Sequence, residues 1–229
     1  MPGQIPLHIS LRDSATFANF LPAGNAQLLL QLVDAAALKG EQFIFLWGSA
    51  GTGKTHLLQS VCHALSANAS TGVYLPLSHE GIRPEMLEGL ESMPLIAIDD
   101  LQAVAGDREW ETALFNLYNR VRDRGEGHLI VTGTANPQAL DLSLPDLESR
   151  LMWGLVFQLQ AMDDEQLSEA LQLRAKGRGM DMPADVAAYI LKRCSRDMHS
   201  LFDLLDKLDH ESLVAQRKLT IPFVRQFLE

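Results

Sequence analysis

The sequence predicts an α/β protein: a mainly parallel, five-stranded sheet with helices on both faces, followed by a small all-helical domain. Three observations carry this reading. Apolar runs of strand length alternate with helical patterns as far as Ala161, a complete glycine loop joins one such run to a helix, and no strand pattern occurs after Ala161. Strands alternating with helices require crossover connections, which place the strands parallel and cover both faces of the sheet.

The elements follow in order. Residues 26–38, AQLLLQLVDAAAL, read as a helix, and the strand candidates are Phe43–Trp47, Val73–Leu77, Leu95–Ile98, His128–Thr132 and Leu155–Gln160. Helical patterns lie between them. Thr55–Ala67 follows the glycine loop, and in Arg108–Arg124 the residues Ala113, Leu114, Leu117, Tyr118 and Val121 form one apolar stripe at helical spacing. Past Ala161, Asp163 and Gln166 have the spacing of a capping box opening a helix that runs to about Ala175, with Gly177 and Gly179 ending it. Pro183 suits the first turn of a second helix, to about Arg193. A third spans about Asp197–Ala215, and Thr220 could cap a short last one ending at Leu228. The expected organisation is an extended tail over residues 1–12, a nucleotide-binding α/β domain over 13–161 and a helical lid over 162–229.

The 229 residues are 47% hydrophobic, enough for a substantial core, and carry a formal net charge of −10 from 19 Lys+Arg against 29 Asp+Glu. Autonomous nucleic-acid binding needs a basic face, which this balance does not provide. The scattered Lys176, Arg178, Lys192, Arg193 and Arg196 read more simply as solvated helix faces. No apolar run approaches membrane-spanning length, and the distant Cys62 and Cys194 fit reduced thiols rather than a disulfide framework. A cytoplasmic protein without direct sequence-specific DNA binding and without a membrane anchor is the expectation.

The glycine loop carries the chemistry. Gly48, Ser49, Ala50, Gly51, Thr52, Gly53, Lys54 and Thr55 form a complete Walker A motif between a strand and a helix start, with His56 next on the helix. Glycines let the backbone curl so that successive N–H groups face an anion, and the helix N-terminus adds its positive field. Lys54 would neutralise the outer phosphates, and the Thr55 hydroxyl would bind Mg²⁺. Leu95–Asp100, an apolar strand ending in acids, fits the Walker B pattern, with Asp99 placed to hold Mg²⁺ opposite Thr55. Asp100 could polarise an attacking water or simply cap a turn. Thr134, closing His128–Thr134, could contact a γ-phosphate or close a turn. Arg150 could complement a helix dipole or project as an arginine finger into a neighbour's site.

Taken together, Phe17-Ala-Asn-Phe, the Gly48–Gln59 segment, Ile98-Asp-Asp-Leu-Gln, Ser149-Arg-Leu-Met-Trp-Gly-Leu and Leu219-Thr-Ile-Pro-Phe-Val resemble the bacterial replication initiator family DnaA, from about Thr16 onward. The chain stops where DnaA would begin its helix-turn-helix domain and starts almost at the core, which resembles the Hda-type regulators of that family. The resemblance implies the AAA+ form of the fold, with adenine in an apolar cleft near Phe17 and Asn25. It also implies ADP, or another nucleoside diphosphate, in the pocket, with ATP also possible. Gln4-Ile-Pro-Leu-His-Ile resembles the hexapeptide that docks on the DNA polymerase III sliding clamp (beta subunit), with Gln4, Ile5, Leu7 and Ile9 as anchors; as a bare pattern, short apolar tails of this kind usually pack on their own domain. The partners implied are that clamp and the DnaA AAA+ domain, whose ATP hydrolysis Arg150 would stimulate in trans, with the chain's own ATPase weak or absent. Self-association into a homo-oligomer would use the same surfaces. Two positions depart from the family pattern: Thr134 stands where DnaA has an acid, and His199, with Arg196 a turn earlier, where the family has its second-sensor Arg. The competing reading is an autonomous AAA+ ATPase, such as a helicase loader or clamp-loader-like subunit, with Asp100 as base.

Overall fold

The computed structural model describes residues 15–194, 198–215 and 219–228. Its five strands are β1 (Phe43–Trp47), β2 (Gly72–Pro76), β3 (Leu95–Asp99), β4 (His128–Gly133) and β5 (Leu155–Gln158). They form one sheet in the order β2-β3-β4-β1-β5 with all pairings parallel. Strand β3 pairs with β4 in the register Leu95↔His128 to Ile98↔Val131.

The helices are α1 (Ala26–Ala36), α2 (Lys54–Ala67), α3 (Arg108–Arg124), α4 (Pro145–Leu151), α5 (Asp164–Gly177), α6 (Ala184–Leu191), α7 (Met198–Ala215) and α8 (Ile221–Arg225). By packing, the chain divides into two compact units. The first comprises the chain up to Phe17, Gln27–Gly48 and Lys54–Leu159; the second comprises Ala18–Ala26, Ser49–Gly53 and the chain from Gln160 onward. In the first unit the two-residue alternation of the strands separates two buried layers. Phe45, Ile96, Ile98, Leu129 and Val131 pack with Leu114, Leu117, Tyr118 and Val121 of α3, the stripe legible in the sequence. Phe43 stacks on Tyr118 with ring centroids 4.1 Å apart. Alternate residues such as Leu46, Ala97 and Ile130 are equally buried, as are Leu57, Leu58, Val61 and Leu65 of α2. The second unit has its own core, built from Leu167, Leu171, Val186, Ile190, Leu201, Leu205 and Phe223.

Several boundaries differ from the sequence expectation. Helix α1 ends at Ala36 rather than at residue 38, because Leu38 and Gly40 take left-handed conformations (φ 56° and 75°) that an α-helix cannot continue. Strand β2 begins at Gly72 and ends at Pro76, pairing Gly72 with Leu95 and Pro76 with Asp99. Glycine's poor strand propensity hides this start. Strand β5 ends at Gln158, since the Gln160 N–H turns away to the Asn25 side chain. Helix α5 opens with the expected Asp163–Gln166 capping box but runs through Gly177, and the chain turns at Gly179, whose φ is 77°. Pro183 is the N-cap of α6 rather than a residue of its first turn, and α6 stops at Leu191, short of Arg193. Helix α8 stops at Arg225, and Thr220 occupies its N-cap without a side-chain cap bond.

One buried carboxylate ties the turn before α3 to the entry of α4. Glu111 is fully buried; it accepts from the N–H of Gly106 at 2.7 Å, of Ser143 at 3.0 Å and of Leu144 at 2.7 Å, and from the Ser143 hydroxyl at 2.9 Å. Burial alone would raise its pKa, but these bonds outweigh burial and hold the carboxyl below the usual range. A carboxylate depressed in this way stabilises the fold fully above its unfolded pKa of about 4.3 and loses that contribution as pH falls through the folded value. Glu111→Gln turns an N–H₂ group against two of the four donors. Urea unfolding at pH 7 is therefore expected to show a loss of about 2–4 kcal/mol, and the gap between variant and wild type narrows as pH falls below about 4.

Candidate functional site

The carboxyl ends of parallel strands gather the residues singled out in the sequence. Gly48, directly after β1, donates its N–H to the Gly133 carbonyl at 3.3 Å, joining the ends of β1 and β4. Gly51 and Gly53 have φ of 78° and 101°, so the loop curls through conformations closed to most other residues. A side-chain carbon on Gly53 would also come within 3.0 Å of the Phe20 ring. Thr52 closes a turn of the loop, with its hydroxyl on the Ser49 carbonyl at 2.9 Å; Ser49 and Ala50 are exposed.

Lys54 opens α2 and is buried, and its ammonium reaches back to the Gly48 carbonyl at 2.7 Å. Burial lowers its pKa, while the fields of Asp99 and then Asp100 oppose that shift. Thr55 is exposed beside it, and His56 Nε2 lies 3.0 Å from the Thr16 carbonyl.

Asp99 ends β3 fully buried. Its Oδ2 accepts from the Tyr74 hydroxyl at 2.8 Å, and its Oδ1 accepts from the Thr132 hydroxyl. The Thr132 oxygen in turn accepts the Asp100 N–H at 3.1 Å. Asp100 sits in a left-handed conformation (φ 62°, ψ 48°), and its carboxylate accepts from Ser78 Oγ at 2.8 Å and from Gln102 Nε2 at 2.9 Å. The structure thus brings Lys54, Asp99 and Asp100 into one electrostatic neighbourhood. Thr134 is exposed one residue beyond β4, while the buried Thr132 on the strand bonds both acids.

Sequence reasoning passed over Thr132, Tyr74, Ser78 and Gln59. A signal existed for two of them. Tyr74 puts the one hydroxyl into the otherwise apolar β2 and Thr132 the one hydroxyl into β4, and a buried hydroxyl needs a partner.

The other predicted residues have the following settings. Phe17 opens a 3₁₀ turn, Phe17–Asn19, and is half-buried. Asn25 is buried with both ends of its side chain occupied: Oδ1 takes the Gln160 N–H at 2.9 Å and Nδ2 donates to the Ala23 carbonyl at 3.3 Å. His199 falls in the first turn of α7, but its side chain, like Arg196 and the tail residues Gln4, Ile5, Leu7 and Ile9, lies outside the described residues. Arg150 lies at the end of α4. Its Nε donates to Asn119 Oδ1 at 3.1 Å, and its guanidinium carbon lies 3.9 Å from the centroid of the Trp153 ring and 5.6 Å from that of Phe115. Trp153 itself is 58% exposed. Gly154 follows at a close approach to β1, where a side-chain carbon would collide with the Phe43 carbonyl.

Among the described residues no group of three or more His, Cys, Asp or Glu side chains forms a metal cluster. The buried carboxylate of Asp99, close enough to Lys54 for its field to act there, fits Mg²⁺, which takes one or two carboxylates and completes its shell with phosphate oxygens and water. No described helix is long and apolar enough to cross a membrane.

Comparison with known proteins agrees with this arrangement. The family profile of the bacterial DnaA ATPase domain matches residues 11–158, and the profile described as Hda, lid domain, matches residues 163–228. Domain III of the Thermotoga maritima replication initiation protein DnaA is similar in fold, with a TM-score of 0.78 at 22% identity over 94% of this chain and 96% of that one. AMPPCP-bound DnaA from Aquifex aeolicus gives a TM-score of 0.71 at 20% identity over 87% of this chain and 66% of its own. The Thermotoga maritima RuvB Holliday junction branch migration motor gives 0.68 at 17% identity, over 93% and 70% of the two chains. With its parallel five-stranded AAA+ sheet and helical lid, the chain belongs to the bacterial DnaA ATPase-domain family and carries an Hda-type lid.

Proposed function

We propose that this chain is a nucleotide-bound regulator of DNA replication initiation that works on the ATPase of a DnaA partner rather than by turnover of its own. ADP occupies the loop Gly48–Thr55, with Lys54 on its phosphates and Mg²⁺ held through Thr55 and Asp99. When bound, the metal neutralises phosphate charge. Arg150 is supplied in trans to the partner's ATP, and the segment from Gln4 to Ile9 tethers the chain to the sliding clamp.

The observation that carries this reading is the setting of Arg150. Among the described residues no carboxylate lies within ion-pair distance of it. Asn119 and the faces of Trp153 and Phe115 hold the guanidinium at the surface instead. A cation oriented by an amide and two rings, with no acid to neutralise it, is suited to an external phosphoryl group. An Arg supplied in trans is worth about 10³–10⁵ in phosphoryl-transfer rate.

Two further observations support the division of labour. Lys54 is buried with its ammonium at the start of the glycine loop, where the phosphates of a diphosphate would meet it. Both carboxylate oxygens of Asp100 already accept hydrogen bonds, which weakens it as a base for water and favours slow self-hydrolysis. Similar structures in the family carry AMPPCP, an ATP analogue, which supports nucleotide at the same loop here.

In a mixture of DNA-loaded clamp and ATP-bound DnaA, Arg150→Ala is expected to lower stimulated hydrolysis by roughly 10³-fold or more. Arg150→Lys does not restore it, because an ammonium lacks the planar fork. Trp153→Ala, which removes the ring under the guanidinium, lowers it by about tenfold. Undiminished hydrolysis with Arg150→Ala rejects the finger, and steady ATP consumption by the purified chain that is lost in Asp100→Asn points to an autonomous ATPase. Deleting residues 1–10 is expected to abolish clamp binding, measured by surface plasmon resonance, while ADP affinity stays nearly unchanged. Clamp binding that survives the deletion counts against the tail motif.

A further inference from the structure

Tyr74 performs a task that neither the glycine loop nor the acid pair accounts for. It lies on β2, with two strands between it and β1, and its neighbour Leu75 is paired to Ile98. Its hydroxyl gives its single proton to Asp99 Oδ2 at 2.8 Å. The buried Gln59 side chain, one helical turn past Thr55, bonds the same phenol. A phenol has one proton to give. With that proton on Asp99, Gln59 must be the donor to the Tyr74 oxygen, so the polarity runs from α2 through β2 to the carboxylate. Thr132 closes the other side by donating to Oδ1. Each Asp99 oxygen therefore shares its charge with one protein donor before any cation is bound.

From this geometry we infer that Tyr74 is a positioning residue for the metal of the nucleotide site: its hydroxyl fixes the Asp99 rotamer and draws off part of the carboxylate's charge, so that the chain holds nucleotide with only a weak demand for Mg²⁺. The inference rests on the reading of Gly48–Thr55 as a nucleotide site with Asp99 on its metal side. The chemical consequence is specific. The tighter a donor binds a carboxylate, the less charge remains for a cation on the same oxygen. Lys54, which grips phosphate directly, is untouched, so nucleotide affinity without metal does not depend on the phenol.

The test is a titration of a fluorescent ADP analogue against wild type and Tyr74→Phe, at Mg²⁺ concentrations from chelator-only to millimolar. Tyr74→Phe is expected to lower the Mg²⁺ concentration giving half of the metal-dependent gain in affinity by about three- to tenfold. The chelator-only affinity and the melting profile stay close to wild type. Gln59→Met keeps the phenol but removes its donor, weakening the Tyr74 bond to Asp99. It shifts the Mg²⁺ midpoint in the same direction by a smaller factor, and it carries the test should Tyr74→Phe fold poorly. A purely structural role would move the melting profile and the chelator-only affinity while leaving the Mg²⁺ midpoint in place, and that result overturns the inference. An unchanged midpoint in both variants with normal ADP binding also overturns it and leaves the nucleotide site standing. Absence of ADP binding in the wild type under every condition overturns both.

Discussion

The arrangement turns on one interaction, the buried ammonium of Lys54 held 2.7 Å from the Gly48 carbonyl. An ammonium withdrawn from water is expensive unless carbonyls, carboxylates or phosphates surround it. Here one end of the glycine loop supplies the carbonyl, and Asp99 and Asp100 at the end of β3 supply the opposing field. The parallel sheet makes this possible. With β1 beside β4 and β4 beside β3, the loop after one strand and the acids after another emerge at the same edge. A diphosphate placed on the loop would bring its negative charge to this ammonium.

The acids are themselves restrained. Tyr74 and Thr132 hold Asp99, while Ser78 and Gln102 hold Asp100, which fixes the orientation of both carboxylates. Unpaired buried charge costs several kcal/mol, and such networks specify one arrangement only when every member is satisfied. The same logic operates at Glu111, whose four donors fix the chain entering α4 and so the base from which Arg150 projects. One buried carboxylate network thus serves the nucleotide end of the first unit, and another serves the helix that presents the cation.

Much of this was legible in the sequence for local reasons. A glycine loop ending in Lys-Thr, an apolar strand ending in Asp-Asp and the 113–121 stripe each declare themselves within a few residues. The Asp163–Gln166 capping box did so as well. What escaped depends on register between strands distant in the chain. Thr134 drew attention at the strand end, yet the hydroxyl on both acids belongs to Thr132, which is set opposite β3 by the β3–β4 pairing. Tyr74 was hidden likewise, because β2 starts at Gly72 and its alignment with β3 is not written in either segment alone. The bond from the Gln160 N–H to the Asn25 side chain joins residues 135 positions apart, and no local pattern in the sequence announces it.

Equilibrium dialysis of the wild-type chain and Lys54→Ala against radiolabelled ADP measures directly whether the glycine loop and its buried ammonium hold a diphosphate. Saturable binding of one ADP per chain is expected, lost on removal of the ammonium while the melting profile of the variant persists. Absence of saturable binding by the wild type, or undiminished binding by Lys54→Ala, would contradict it.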